Sequence, residues 1–155
     1  MPVKSDYKKI MVPFDGSKFS EKALEIAIEL SKKFNASLYL VTIIGMSRVN
    51  PPGAFLGSQK KMRKSFDEIK SAIKSESEKM LLEKRSICIK AGIDANYTIL
   101  GGVTSNLILK LIKKSDIDLV VMGSHGLSGF NKIKALGSVS RRISEIASCP
   151  VMIIR

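Results

Sequence analysis

The chain has no tryptophan, one histidine and two cysteines among its 155 residues, and its acidic side chains number 14 against 26 lysines and arginines. Each shortage excludes something. Cys88 and Cys149 lie far apart and match no metal-binding or redox spacing, so they read as small apolar residues of a reducing compartment, with no disulfide expected. His125 stands alone, and no nucleophile, base or carboxylate is spaced to work with it. It therefore reads as a loop residue that orients or contacts a ligand, and no catalytic residue is expected. No run approaches twenty apolar residues, and the amino terminus is polar and runs directly into a short strand, so a cytoplasmic protein without a membrane span is expected.

The formal charge of +12 attracts anions over long range, whether nucleotides, nucleic acid or anionic lipid. Many of the lysines fall between Lys60 and Lys90, interleaved with Asp67, Glu68, Glu76, Glu78 and Glu83, the pattern of a solvated helix face. With no tryptophan and three tyrosines, the basic residues lack the aromatic platforms that single-stranded nucleic acid stacks upon. A nucleic-acid binder is accordingly the weakest of the readings kept open.

The length and the 45% hydrophobic content suit one domain over residues 1–155, able to bury a continuous core without cross-links. Short β runs alternate with longer helical patterns. Lys9 to Phe14 is a first strand, and Asp15-Gly16-Ser17 turns it into a helix with the apolar stripe Ala23, Leu24, Ala27, Ile28, Ser31 and Phe34, capped by Ser17 or Ser20. Leu38 to Ile44 is a second buried strand. Residues 45–58, with Pro51-Pro52-Gly53, have no period and read as an irregular loop, a candidate lid. From Gln59 to Ala91 the positions Met62, Phe66, Ile69, Ile73, Met80, Leu81 and Ile87 keep helical spacing and are expected to face the core; Gly92 ends the helix. Asp94 to Leu100, Asp118 to Met122 and Cys149 to Ile154, with Pro150 at its entry, complete five strands, with helices over Val103 to Lys114 and after Gly137.

Strands separated by helices imply right-handed crossovers and a parallel sheet with helices on both faces, an α/β fold. The sequence Gly123-Ser124-His125-Gly126-Leu127-Ser128-Gly129 follows the fourth strand, and Gly137-Ser138-Val139-Ser140 opens the last helix. Glycines at 123, 126 and 129 are expected to take positive φ and let backbone approach a ligand, beside helix-start amides and the Ser138 hydroxyl, which suits anionic oxygens. Ligands of such sheets bind at the carboxyl ends of strands where the winding reverses. Strand order 3-2-1-4-5 puts that crevice between the first and fourth strands, flanked by Asp15 and the glycine turn, whereas order 2-1-3-4-5 would leave the turn to one side. The motif favours the first order. There Asp15 can accept from a ribose hydroxyl or a base amino group.

The blocks Ile10 to Ser17, Asp118 to Gly129, Gly137 to Ser140 and Cys149-Pro150-Val151 together resemble the universal stress protein family, over essentially the whole chain. The resemblance implies the 3-2-1-4-5 sheet, a homodimer paired through the last strands and, in one branch, ATP held by Gly, two residues, Gly, nine residues, Gly and Ser or Thr. Here Gly123 and Gly126 fit, and ten residues, Leu127 to Leu136, precede Gly137. By the resemblance, Asp15 is the adenine or ribose partner with Pro13 and Phe14 on the same wall, and the backbone of Ile43 meets the adenine while Met122 covers its face. Gly123 and Gly126 lie along ribose and phosphate, and Gly137, Ser138, Val139 and Ser140 give amides and hydroxyls to phosphate oxygens. Magnesium would bridge those oxygens through waters, with few protein ligands. The implied function is an ATP-binding, nucleotide-dependent stress-response regulator with hydrolysis slow or absent. The alternative is a dimeric interaction module of the same fold that binds no nucleotide.

Overall fold

The computed structural model describes residues 6–45, 59–127 and 135–155. The candidate lid, apart from Gly45, and the turn residue Gly129 lie outside the described residues. The described elements are β1 (Lys9–Pro13), α1 (Lys18–Phe34), β2 (Ser37–Ile44), α2 (Gln59–Lys90), β3 (Ala95–Gly101), α3 (Thr104–Lys114), β4 (Leu119–Gly123), α4 (Ser138–Ile146) and β5 (Val151–Ile154). The strands form one sheet of order β3-β2-β1-β4-β5, and every pairing is parallel, the order in which the glycine turn and Asp15 flank one crevice.

Strand periodicity divides the core into two layers, one on each face of the sheet. Ile10, Val12 and Phe14 of the first strand segment, with Leu38, Leu40, Leu119 and Val121, pack under Ala23, Leu24 and Ala27 of α1 and Leu81 and Cys88 of α2. The alternate residues Met11, Val41, Val120 and Met122 pack against Ile108, Leu111 and Ile112 of α3 and Ile143 of α4. Ser17 caps α1, its hydroxyl accepting from the Ser20 amide at 3.2 Å, and Asn35 closes the helix in the left-handed region.

Helix α2 departs from the expected pattern. Its buried line is Ser77, Leu81 and Cys88, while Ile69 and Ile87 are each 44% exposed. There are two reasons: a helix of 32 residues runs about 48 Å, whereas an eight-residue strand spans about 26 Å, so its early turns with Ile69 outrun the sheet, while Ile87, next to the buried Cys88, is on the helix face turned away from it. The sheet can cover only part of α2. Lys61, Arg63, Lys64 and Ser65 are accordingly all exposed.

The pairing of β1 with β4 positions the site. Two residue pairs join them, Ile10 with Leu119 and Met11 with Val120, whereas β1 pairs with β2 over its whole length, Lys9 to Pro13. Beyond Met11 the chain keeps to the β2 side: Phe14 donates its amide to the Val41 carbonyl at 2.8 Å, and the Thr42 hydroxyl donates to the Phe14 carbonyl at 2.6 Å. β4 meanwhile follows β5 to Gly123 and Ile154. The two strands part, and a crevice opens between their carboxyl ends.

Candidate functional site

That crevice is a cavity of about 370 Å³, within the size range of small-molecule sites. Pro13, Phe14, Asp15, Ile43, Met122, Gly123, Gly126, Gly137, Ser138, Val139 and Ser140 all line it. The cavity has two chemically different ends. Val41, Ile43, Ile108 and Met122 give an apolar end on the α3–α4 face of the sheet. Gly137 and α4 supply the polar one.

Gly137 is the N-cap of α4 and carries no side chain to cap it, and the first intrahelical bond runs from the Arg141 amide to the Gly137 carbonyl at 3.0 Å. The amides of Ser138, Val139 and Ser140 therefore precede the helical ladder, at the positive end of the helix dipole. An anion beside them would find donors and favourable potential together.

The helix start is fixed to the loop after β4 through Ser124. Its carbonyl accepts from the Gly137 amide at 2.9 Å and from the buried Ser140 hydroxyl at 2.7 Å, while its own amide donates to Ile154 at 2.8 Å. The Ser140 hydroxyl has one proton, which here is directed to the carbonyls of Ser124 and Gly137, so the side chain braces the helix start.

One correction concerns the glycines. Among the described residues the positive-φ glycines are Gly16, Gly92 and Gly102, so Gly123 and Gly126 do not take the left-handed backbone expected of them. A Cβ on Gly123 would lie 2.6 Å from the Phe19 Cβ and 2.9 Å from its backbone carbon, which lets α1 press against β4. On Gly137 it would lie 3.1 Å from the Ser124 carbonyl oxygen, and on Gly126 it would lie 2.9 Å from Asp15 Oδ2.

Asp15 sits across the crevice from α4. Its Oδ1 accepts from the Ser17 amide at 2.9 Å and its Oδ2 from the Leu127 amide at 3.1 Å. Each oxygen keeps a further lone pair for a ligand hydroxyl or amino group. His125, half-buried at the cavity wall, places Nδ1 3.0 Å from the Ser124 hydroxyl and its ring 5.6 Å from that of Phe19. Sequence reasoning missed Ser20, Val41, Thr104, Ile108, Ser124 and Leu136, which also line the cavity. The helix-start positions Ser20 and Thr104 carried a usable signal, since every helix following a strand begins at this edge of the sheet.

The universal stress protein family profile matches residues 6–155. A universal stress protein of Bacillus subtilis, YxiE, is 32% identical over 149 residues, covering 96% of this chain and 99% of its own. Among solved structures, the universal stress protein UspA from Lactobacillus plantarum superposes with a TM-score of 0.82 at 20% identity, covering 97% of this chain and 99% of that one. A universal stress protein from Archaeoglobus fulgidus in complex with dAMP gives 0.64 at 21%, covering 96% and 98%. One in complex with cAMP gives 0.67 at 23%, covering 97% and 98%.

Proposed function

The chain belongs to the universal stress protein family, and on that premise we propose that it binds ATP in the cavity between β1 and β4 and acts as a nucleotide-dependent stress-response regulator. The observation that carries this reading is the pairing, in one cavity, of an apolar end with a helix start whose first amides lie outside the helical ladder. A purine fits the first and phosphates the second. Ile43 and Met122 would flank the base, with Pro13 and Phe14 on the adjoining wall. Asp15 would accept from ribose or adenine, Gly123 and Gly126 would run beside ribose and phosphate, and Gly137, Ser138, Val139 and Ser140 would present amides to phosphate oxygens. Relatives of this fold that hold dAMP and cAMP support the adenine assignment.

Magnesium fits here only as a partner of the phosphates. Among the described residues no group of three or more His, Cys, Asp and Glu could hold a metal ion, so phosphate oxygens and water would have to be its main ligands. Bound there, it would neutralise phosphate charge. Hydrolysis is expected to be slow or absent, because His125, the one histidine, places Nδ1 against the Ser124 hydroxyl and, among the described residues, pairs with no carboxylate as a general base would.

The same internal bonds favour one alternative, an interaction module of this fold that leaves the cavity without nucleotide, since Asp15 and Ser140 are satisfied without a ligand. In either case we place the protein in the cytoplasm as a homodimer paired through β5, the edge strand, whose Met152 is 38% exposed. No helix among the described residues is long and apolar enough to cross a membrane. Calorimetric titration with ATP and magnesium separates the two readings: saturable binding near one nucleotide per chain supports the first, and no heat at millimolar nucleotide supports the second. A native mass spectrum adds whether an adenine nucleotide co-purifies.

A further inference from the structure

Asp15 and the loop after β4 are separated by more than a hundred residues, yet a single carboxylate joins them. From this geometry we infer that Asp15 is the positioning residue of the glycine loop, a latch that sets the width of the cavity before any ligand arrives, and that Gly126 is glycine to admit this latch. The inference deepens the proposed nucleotide reading and rests on it for its functional meaning.

The chemistry requires a carboxylate. Two amides, Ser17 at 2.9 Å and Leu127 at 3.1 Å, are served by two different oxygens. Asparagine has one carbonyl oxygen and an NH2 group, so it can serve one of the amides and must turn donors toward the other. Both bonds have an ionised acceptor, which makes them stronger than neutral ones. The first bond fixes the carboxylate on the β1–α1 turn, and the second hangs the glycine loop from it. The strand ends on the two sides of the crevice are thereby held at a set distance, although their ladder has already stopped at Met11 and Val120.

Gly126 completes the argument. Its φ is not positive, so alanine would be tolerated by the backbone. Among the described residues the one atom within 4 Å of an added Cβ is Asp15 Oδ2, at 2.9 Å. With Asp15 held by its two bonds, an added Cβ would press on its carboxylate, so the glycine gives the latch room. Where Asp15 is absent, an alanine Cβ at 126 has no other contact within 4 Å among the described residues.

This arrangement lowers the cost of binding. A loop already tied to the β1–α1 turn spares a ligand part of the entropy of ordering it, and Asp15, on the cavity wall, keeps lone pairs for that ligand. One carboxylate would thus touch the nucleoside and hold the loop that runs beside the phosphates.

The test is a cycle of Asp15→Ala, Gly126→Ala and the double variant, read first without nucleotide. Amide hydrogen exchange at Leu127 should quicken by about tenfold or more in Asp15→Ala, the loss expected for a charge-assisted bond, while amides of Ile10 to Val12 keep their rates. Gly126→Ala should lower the urea midpoint in the native background and leave it unchanged in the Asp15→Ala background. An unchanged Leu127 rate, or an equal Gly126→Ala loss in both backgrounds, overturns the latch. Titration with cAMP, whose phosphodiester keeps a constant charge, then reads the functional side. Gly126→Ala should weaken binding several-fold in the native background and not further in the Asp15→Ala background, whereas equal weakening in both would overturn the coupling. If the native protein binds no nucleotide, the proposed function fails, and the exchange and unfolding arms still decide the latch.

Discussion

At the entry of the β1–β4 pair, Asp118 Oδ2 accepts the amides of Lys8 and Lys9, each at 3.0 Å, and the Asp118 amide donates to the Lys9 carbonyl at 3.0 Å. At the exit of the same two strands, Asp15 accepts the amides of Ser17 and Leu127. Both carboxylates stitch β1 to the β4 side of the sheet through backbone protons, but their surroundings differ. Asp118 is buried, and the strands it joins go directly into a ladder; Asp15 is half-exposed, and beyond the ladder's end it bridges a gap. The same chemical device closes the sheet in one place and props it open in the other. Stability and binding are thereby given to opposite ends of one strand pair, which makes them separable by mutation.

The strongest challenge to that division is Gly123, which lies at the open end but serves packing. Gly123→Ala should cost about 3 kcal/mol, because the new methyl group meets the backbone of α1 as well as Phe19, and urea unfolding measures it. Next comes the closed end itself. Asp118→Ala should cost about 2 kcal/mol by losing bonds to an ionised acceptor, with nucleotide affinity in the folded protein unchanged. A comparable fall in affinity would mean that the ends are not independent.

A smaller effect is expected where the helix start is braced. Ser140→Ala should cost about 1 kcal/mol, the net value of one buried hydroxyl bond, and should weaken ATP by several-fold, since the α4 amides lose their registration on the loop after β4. If affinity fell by orders of magnitude with stability intact, the hydroxyl would be a ligand group after all. The smallest effect lies far from either end. Burial raises the Cys88 thiol above its ordinary value of 9.0. Such a group contributes stability that is complete below the unfolded value and is lost as pH rises through the folded one. Stability should therefore decline above about pH 9, and Cys88→Ala should flatten that limb of the unfolding profile.

Much of this organisation was legible in the sequence because strand and loop signals agreed. The uninterrupted run Asp118 to Met122 ends at glycine, the run Lys9 to Phe14 ends at Asp15, and only the order 3-2-1-4-5 lets both ends share one crevice. The eleven residues that the family resemblance set at that crevice line one cavity; titration decides whether they hold a ligand. What they do there was less legible. Glycine reads as conformational freedom, but at 123 and 126 it answers to neighbours, Phe19 and Asp15, that are distant in the chain. Serine reads as a free hydroxyl, but at 140 its proton goes to a backbone carbonyl 16 residues back. Helix α2 misled for a different reason. Periodicity marked its apolar residues, but sheet length leaves Ile69 without a surface and the helix phase buries Ser77 and Cys88 while turning Ile87 outward. Asp118 read only as the start of a strand, since nothing local announces a carboxylate that will serve the amides of Lys8 and Lys9.

The most direct measurement is an amide-resolved NMR titration of the nucleotide-free protein with ATP and magnesium. The account predicts saturable shifts concentrated at Gly126, Leu127 and Gly137 to Ser140, with Lys8, Lys9 and Asp118 at the closed end of the pair unmoved. Saturable shifts gathered at the closed end, or none at any nucleotide concentration, would contradict it.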